Sequence, residues 1–188
     1  MPSRVDDLVV VADAVLMRWA TDLEVAPGEE EWQETDGGTR SRPDRRARLV
    51  AALAARTRPR GGVRLRQSLE MARVGSRSPM ETRSRLLVVR AGLPEPELNV
   101  AIHGPSGWLL EGDLVWRRER VIAEYQGGHH GGRRRRSLDE ARRALAEDEA
   151  WTVVEIYAED HHRPPRRRAL LRRLAGHLGV GTAGLDLR

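Results

Sequence analysis

The sequence contains no cysteine, so disulfides, zinc ribbons and thiol nucleophiles are all excluded. It contains no lysine either: all 33 basic residues are arginine. Schiff-base chemistry and the lysine of phosphate-binding loops are therefore ruled out. Long apolar runs are missing as well. Leu49 to Ala55 and Leu86 to Val89 fall far short of the ~20 residues needed to cross a bilayer. The opening Met1-Pro2-Ser3-Arg4-Val5-Asp6-Asp7 puts two acids where a secretory signal carries bare positive charge. A soluble, cytoplasmic protein with no membrane contact is the expectation.

What is present is a chain of 188 residues, 39% hydrophobic and 32% charged, with a formal net charge of +5. A chain of this length buries roughly 70% of its unfolded surface, so it needs no covalent staple to hold a core. The arginine surplus fits an anionic partner such as nucleic acid. A compositional bias toward Arg and Ala accounts for it equally well. The charge is unevenly spread, since Glu24 to Gly38 holds six acids and no base. Flanked by Pro27-Gly28 and Gly37-Gly38, this stretch reads as an acidic loop over 24–38, a surface linker before it reads as a mimic of nucleic acid.

Helical periodicity places Val5, Leu8, Val9, Ala12, Leu16 and Trp19 on one face of a helix over 4–19. Asp44 can cap a second helix through Arg56, and a third spans Val63 to Arg73. Residues 1–75 thus form a helical N-terminal extension, whose short, basic faces are expected to need a partner surface to close a core. A second region, 76–180, opens with Ser78-Pro79-Met80-Glu81. There a cap, a proline at the first position and a glutamate three residues on start a helix that stops at Gly92. Strands follow at Leu98 to His103, Trp108 to Trp116 and Arg120 to Gln126. After a glycine-rich loop, Gly127 to Gly132, come a helix from Ser137 to Ala150, a strand from Trp151 to Tyr157 and a helix from Pro165 to Leu178. Residues 181–188 read as a flexible tail. The order α-β-β-β-α-β-α predicts an α/β fold, a mixed sheet flanked by helices. Trp108, Trp116, Tyr125 and Trp151 are assigned to its core.

The chemistry concentrates in two neighbouring strands. If they form a hairpin with Trp116 facing Val121, Asp113 falls directly across from Glu124, with Cβ atoms ~5 Å apart. Strand alternation adds Gln126 to the face of Glu124. Two carboxylates pressed together repel unless a cation lies between them, and a hard divalent ion with oxygen ligands suits the purpose. Both acids interrupt apolar runs, which sets them apart from ordinary surface acids.

Glu81 on a helix, Asp113 in one strand, Glu124-Tyr125-Gln126 in the next, then Gly127 and His130 resemble the PD-(D/E)XK nuclease superfamily. The nearest likeness within it is the very-short-patch-repair-endonuclease-like branch. Ser78 to Glu81 with Arg85 and Gly92-Leu93-Pro94 fit that branch. So do Asp139, Arg142 and Leu145 of the next helix, and Trp151-Thr152-Val153-Val154. The resemblance spans residues 76–178. Longer members carry an abortive-infection-antitoxin-like winged-helix segment at the N-terminus, and the expectation is that this segment is truncated here.

This resemblance implies a restriction-endonuclease-like fold and a Mg²⁺- or Mn²⁺-dependent endonuclease acting on DNA. The metal ligands would be Asp113 and Glu124, and the attacking group a metal-activated water. Gln126 stands where the superfamily usually has lysine and this branch commonly has aspartate. It can hydrogen-bond a water but is neutral and a weak ligand. His130 matches a histidine suited to relay a proton or touch the scissile phosphate. Glu81 would hold the metal through water, or simply cap its helix. Arg85 belongs to the matched pattern, and Arg133, Arg134, Arg135 and Arg136 can grip phosphates or form a solvated charge run. A zinc cluster of His129, His130, His161 and His162 is the weaker reading of the histidines. Two other functions remain open: a catalytically silent nuclease-fold DNA-binding module, and a regulatory protein of a phage-defence or toxin–antitoxin system. The last would bring a protein partner or a homodimer.

Overall fold

The computed structural model describes residues 4–22, 33–34, 40–41, 45–56, 60–105, 107–127 and 143–187. The predicted roles of His129, His130 and Arg133 to Arg136, most of the 24–38 loop and the start of the helix at Ser137 lie outside them. The chain divides into two compact units, Met1–Pro79 and Met80–Arg188. No helix among the described residues is long and apolar enough to cross a membrane.

The N-terminal unit holds three helices, α1 (Arg4–Asp22), α2 (Arg45–Ala54) and α3 (Gly62–Met71). Two short strands, β1 (Gln33–Glu34) and β2 (Arg40–Ser41), pair antiparallel, so the acidic stretch is not loop throughout. These helices meet around a small apolar cluster. Ala12, Leu16, Leu53, Leu69 and Ala72 are buried together, with Leu49 and Leu65 packed against them. One polar tie secures this small cluster. Asp13 is 1% exposed and its carboxylate accepts the Arg73 N–H at 2.8 Å, just beyond the end of α3. A charge-assisted bond of this kind offsets the cost of burying the acid.

In the C-terminal unit, α4 (Pro79–Arg90) leads into β3 (Glu97–Gly104), β4 (Gly107–Trp116) and β5 (Val121–Gln126). Helical residues 143–148 (α5) precede β6 (Thr152–Tyr157), then α6 (Ala158–His162) and α7 (Pro164–His177). The four strands form one sheet in the order β3-β4-β5-β6, antiparallel twice and parallel at the last pair. A mixed α/β sheet flanked by helices is what the periodicities predict.

Strand alternation sorts the side chains into two cores. On one face Leu114, Trp116, Val121, Ala123, Val154 and Ile156 meet Val88 and Ala91, at the end of α4, and Leu170, Leu171 and Leu174 of α7. On the other, Val115 and Ile122 meet Ile102, Leu110 and Ala146 of α5. The Trp116 indole donates to the Pro94 carbonyl at 2.8 Å, pinning the turn after α4 to the sheet. Trp108 departs from the expected core: it sits near the tip of the β3–β4 hairpin, opposite His103, and is 49% exposed. Residues 181–187, expected as a flexible tail, make a 3₁₀ turn at Thr182–Gly184 and lay Leu185 and Leu187 on the first core.

Two residues let β4 approach its neighbours in an irregular way. Asn99 of β3 has a positive φ of 49°, and the side chains before and after it, Leu98 and Val100, serve opposite cores. Gly112 of β4 packs so tightly that a Cβ there would lie 2.7 Å from methyl carbons of both Ile122 and Val115. Gly112→Ala is expected to lower the stability of the C-terminal unit by about 1–3 kcal/mol through overpacking. Denaturant titration checks this, and an unchanged midpoint would contradict it.

Candidate functional site: a carboxylate cluster where two strands part

The β4–β5 ladder has the register predicted from the sequence, Trp116 opposite Val121, then Val115 opposite Ile122 and Leu114 opposite Ala123. It stops there. One step further on, where Asp113 would face Glu124, a side chain replaces the backbone bond: Asp113 Oδ2 accepts the Tyr125 N–H at 2.8 Å. The strands part at this point and a carboxylate fills the opening.

Asp113 is ringed by negative charge. Its pKa is raised from 3.8 to about 6: burial is the largest cause, the Tyr125 N–H works against it, and the charges of Glu81, Glu124 and Glu111 add to it. The sequence-predicted acids Glu81 of α4 and Glu124 of β5 thus both come into electrostatic range of Asp113 of β4. Each is held by a partner. Glu81 Oε2 accepts a 2.7 Å bond from the Asn99 amide, which places this α4 acid beside the irregular position of β3. Glu124 Oε2 is bonded by Arg143 Nη2 at 3.1 Å. Among the described residues, no three acids or histidines converge closely enough to form a ready-made metal cage.

The β6 side of the site was not anticipated. Parallel pairing sets Glu155 beside Glu124, and Arg143 of α5 bridges the two, reaching Glu155 Oε1 at 2.7 Å. The Tyr157 hydroxyl donates to the other oxygen of Glu155 at 2.5 Å. That bond and the Arg143 pair hold Glu155 below the usual carboxylate range, while Tyr157 is raised by the same contact. Burial works against the Arg143 charge, but its two carboxylates outweigh it and raise its pKa. One cue was legible: Glu155 interrupts Val153-Val154 and Ile156 as Glu124 interrupts Val121-Ile122-Ala123. Arg143 carried no cue, because its role depends on where α5 lands.

Other predicted residues divide. Gln126 ends β5 two residues beyond Glu124, half-buried and opposite Tyr157 of β6. Arg85 must be reassigned. It is 1% exposed and paired with Glu95 at 3.1 Å, so its guanidinium supports the α4–β3 turn and cannot meet a phosphate. His161 lies against Ser84 Oγ, 3.1 Å from Nε2, and edge-on to the Tyr125 ring. Burial chiefly, then the neighbouring His162 charge, lowers its pKa to about 4, so it is neutral at physiological pH.

The Asp113 shift has a sign that can be read in stability. Its folded pKa near 6 lies above the unfolded value of 3.8. The folded protein therefore holds the proton more tightly, and this contribution is full below pH ~4 and lost as pH rises through ~6. Ionising Asp113 costs up to about 3 kcal/mol on that scale. Asp113→Asn, which keeps an acceptor for Tyr125, is expected to be more stable than the parent at pH 8 and not at pH 4. Melting curves across that range test it, and a difference independent of pH would refute the crowded-carboxylate account.

Two proteins of Mycobacterium tuberculosis are similar to this chain. They are the uncharacterised proteins MT2308 of strain CDC 1551 and Rv2248 of strain H37Rv, each 35% identical over 144 residues. The match takes in 76% of this chain and 52% of each relative, so the chain spans about half the length of the curated relatives it matches. No family model matches the sequence, and no solved structure matches it.

Proposed function

We propose that the C-terminal unit is a restriction-endonuclease-like domain of the PD-(D/E)XK superfamily, hydrolysing phosphodiester bonds of DNA with the aid of Mg²⁺ or Mn²⁺. The observation that carries this reading is geometric: the Asp113 carboxylate is held by the Tyr125 N–H at the parting of β4 and β5, and the charges of Glu81 and Glu124 oppose its ionisation there. An acid kept where its neighbours oppose its charge is a feature of functional sites more than of structural ones. Hard oxygen donors at this place suit a small divalent cation, whose charge would relieve the repulsion.

Asp113 and Glu124 would hold the ion, with Glu81 contributing from α4. A bound divalent cation supplies a lowered pKa for water and charge neutralisation at the phosphoryl oxygens. The chain's own residues do the remaining work. The Tyr125 N–H fixes the Asp113 carboxylate in the gap, and Asn99 steadies Glu81. The Gln126 amide can hydrogen-bond and orient the attacking water without adding charge. Arg143, paired with Glu124, would offer its remaining N–H donors to a phosphate oxygen.

A second reading is a nuclease-fold protein that binds DNA or regulates a phage-defence or toxin–antitoxin system without cutting. It is favoured by the Arg143 bridge, which gives Glu124 and Glu155 a cation of their own. The two readings diverge experimentally. The hydrolytic one expects nicking of plasmid DNA that needs Mg²⁺ or Mn²⁺ and is lost in Asp113→Asn and Glu124→Gln. The silent one expects no cleavage by the parent, no heat of Mg²⁺ or Mn²⁺ binding by calorimetry, and the appearance of such binding in Arg143→Gln once the internal cation is removed.

A further inference from the structure

The phosphate grip expected from the sequence falls on Arg85, which is buried, and on Arg133 to Arg136, which lie outside the described residues. The structure offers another. From Arg163 to Gly184 the chain holds six arginines and no acid, and α7 occupies most of that stretch. Its apolar side, Leu170, Leu171, Leu174 and Ala175, is buried in the core. That burial forces Arg166, Arg172 and Arg173 to the outside, where all three are exposed.

Two of these arginines, Arg166 and Arg173, are anchored beside the carboxylate site. Arg173 Nη2 donates to the main-chain carbonyl of Glu155 at 3.0 Å. Arg166 lies over the Tyr157 ring, 5.9 Å from its centre, and bonds the buried Asp160 at 3.1 Å. Glu155 and Tyr157 in turn adjoin Arg143, and Arg143 adjoins Glu124. A chain of contacts, with guanidiniums and acids alternating, therefore runs from Arg166 and Arg173 of α7 across the end of β6 to Arg143 and the proposed site. Arg166 and Arg173 are seven residues apart, which puts them on one helix face about 10 Å apart along the axis. That is about three nucleotide steps of 3.4 Å along one strand.

We infer that the exposed arginine face of α7, Arg166, Arg172 and Arg173, is the surface that tracks the phosphodiester backbone of DNA and leads it to the carboxylate cluster. This deepens the nuclease reading and rests on it for the identity of the ligand. Guanidinium groups pre-positioned by a neighbouring carbonyl or ring lose less freedom on meeting a phosphate than free ones do. Neutralising several adjacent phosphates is what makes such binding steeply dependent on salt.

The test is the salt dependence of binding of the full chain to a fluorescent DNA duplex, with metal chelated so that cleavage does not intervene. Arg172→Gln/Arg173→Gln is compared with Arg64→Gln/Arg66→Gln, which makes the same charge change on the exposed side of α3. The α7 variant is expected to flatten the slope of log K against log salt by about 2, one per lost phosphate contact, and the α3 variant to leave it unchanged. Equal effects of both variants, or none from either, would overturn the assignment, since the attraction would then be diffuse. Absence of parental binding to the duplex, with binding to anionic lipid vesicles instead, would also overturn it. Cleavage assayed separately keeps the two claims apart. Binding that depends on α7 without any cleavage sinks the nuclease reading alone. Cleavage that persists with binding indifferent to α7 sinks this inference alone.

Discussion

The architecture of the C-terminal unit turns on one hydrogen bond, from the Tyr125 N–H to the Asp113 carboxylate. A β-ladder normally continues until a turn or an edge stops it, because each unpaired backbone group is costly. Here β4 and β5 separate after three paired residues, and the donor freed by the separation is satisfied by a side chain. The acid is thereby fixed in the opening, half-buried, with other carboxylates near. Gly112 makes the approach feasible by leaving room for the methyl groups of Ile122 and Val115. Asn99 adjusts β3 on the opposite side and carries Glu81 with it. A strained, self-repelling spot inside a well-packed sheet costs stability and is retained where the chemistry of a site requires it.

Charge at this spot is balanced in two ways at once. Asp113 answers its surroundings by holding a proton more tightly, whereas Glu155 is held below its usual range by Tyr157 and Arg143, and Glu124 shares that guanidinium. The difference follows from reach: a guanidinium presents several donors in one plane and can serve two carboxylates on neighbouring parallel strands. Arg143 is thus both a stabiliser of the acid row and a competitor for any other cation that approaches Glu124. The same geometry bears on both functional readings, and the balance between them is a balance between one internal guanidinium and one external ion.

Arginine serves three distinct purposes in this lysine-free chain. Arg85 is a structural ion pair under the α4–β3 turn, Arg143 is a bridge between acids, and the outer arginines of α7 are a solvent-facing charge ridge. Composition alone treats them as equivalent. Burial separates them, since the same side chain at 1% exposure and at the outer face of an amphipathic helix meets different partners.

Local rules made much of this fold readable from the sequence. Periodicity located the longer helices and strands of both units but not β1, β2 or α6, and the alternation around a four-residue link predicted the β4–β5 register that sets Asp113 next to Glu124. Such signals are local, because neighbouring residues on one strand or helix dictate them. Trp108 and Arg85 were misplaced because exposure is a property of the assembled layers, which strand or helix membership does not by itself reveal. The N-terminal apolar cluster likewise depended on how three short helices met. Glu155 and Arg143 joined the site only through the parallel pairing of β5 with β6 and the position of α5 between them. Residue order alone sets Asp113 and Glu124 on neighbouring strands, because a two-residue alternation across a tight link leaves little choice. The cation that stands beside them came with folding, because it depends on contacts between segments far apart along the chain.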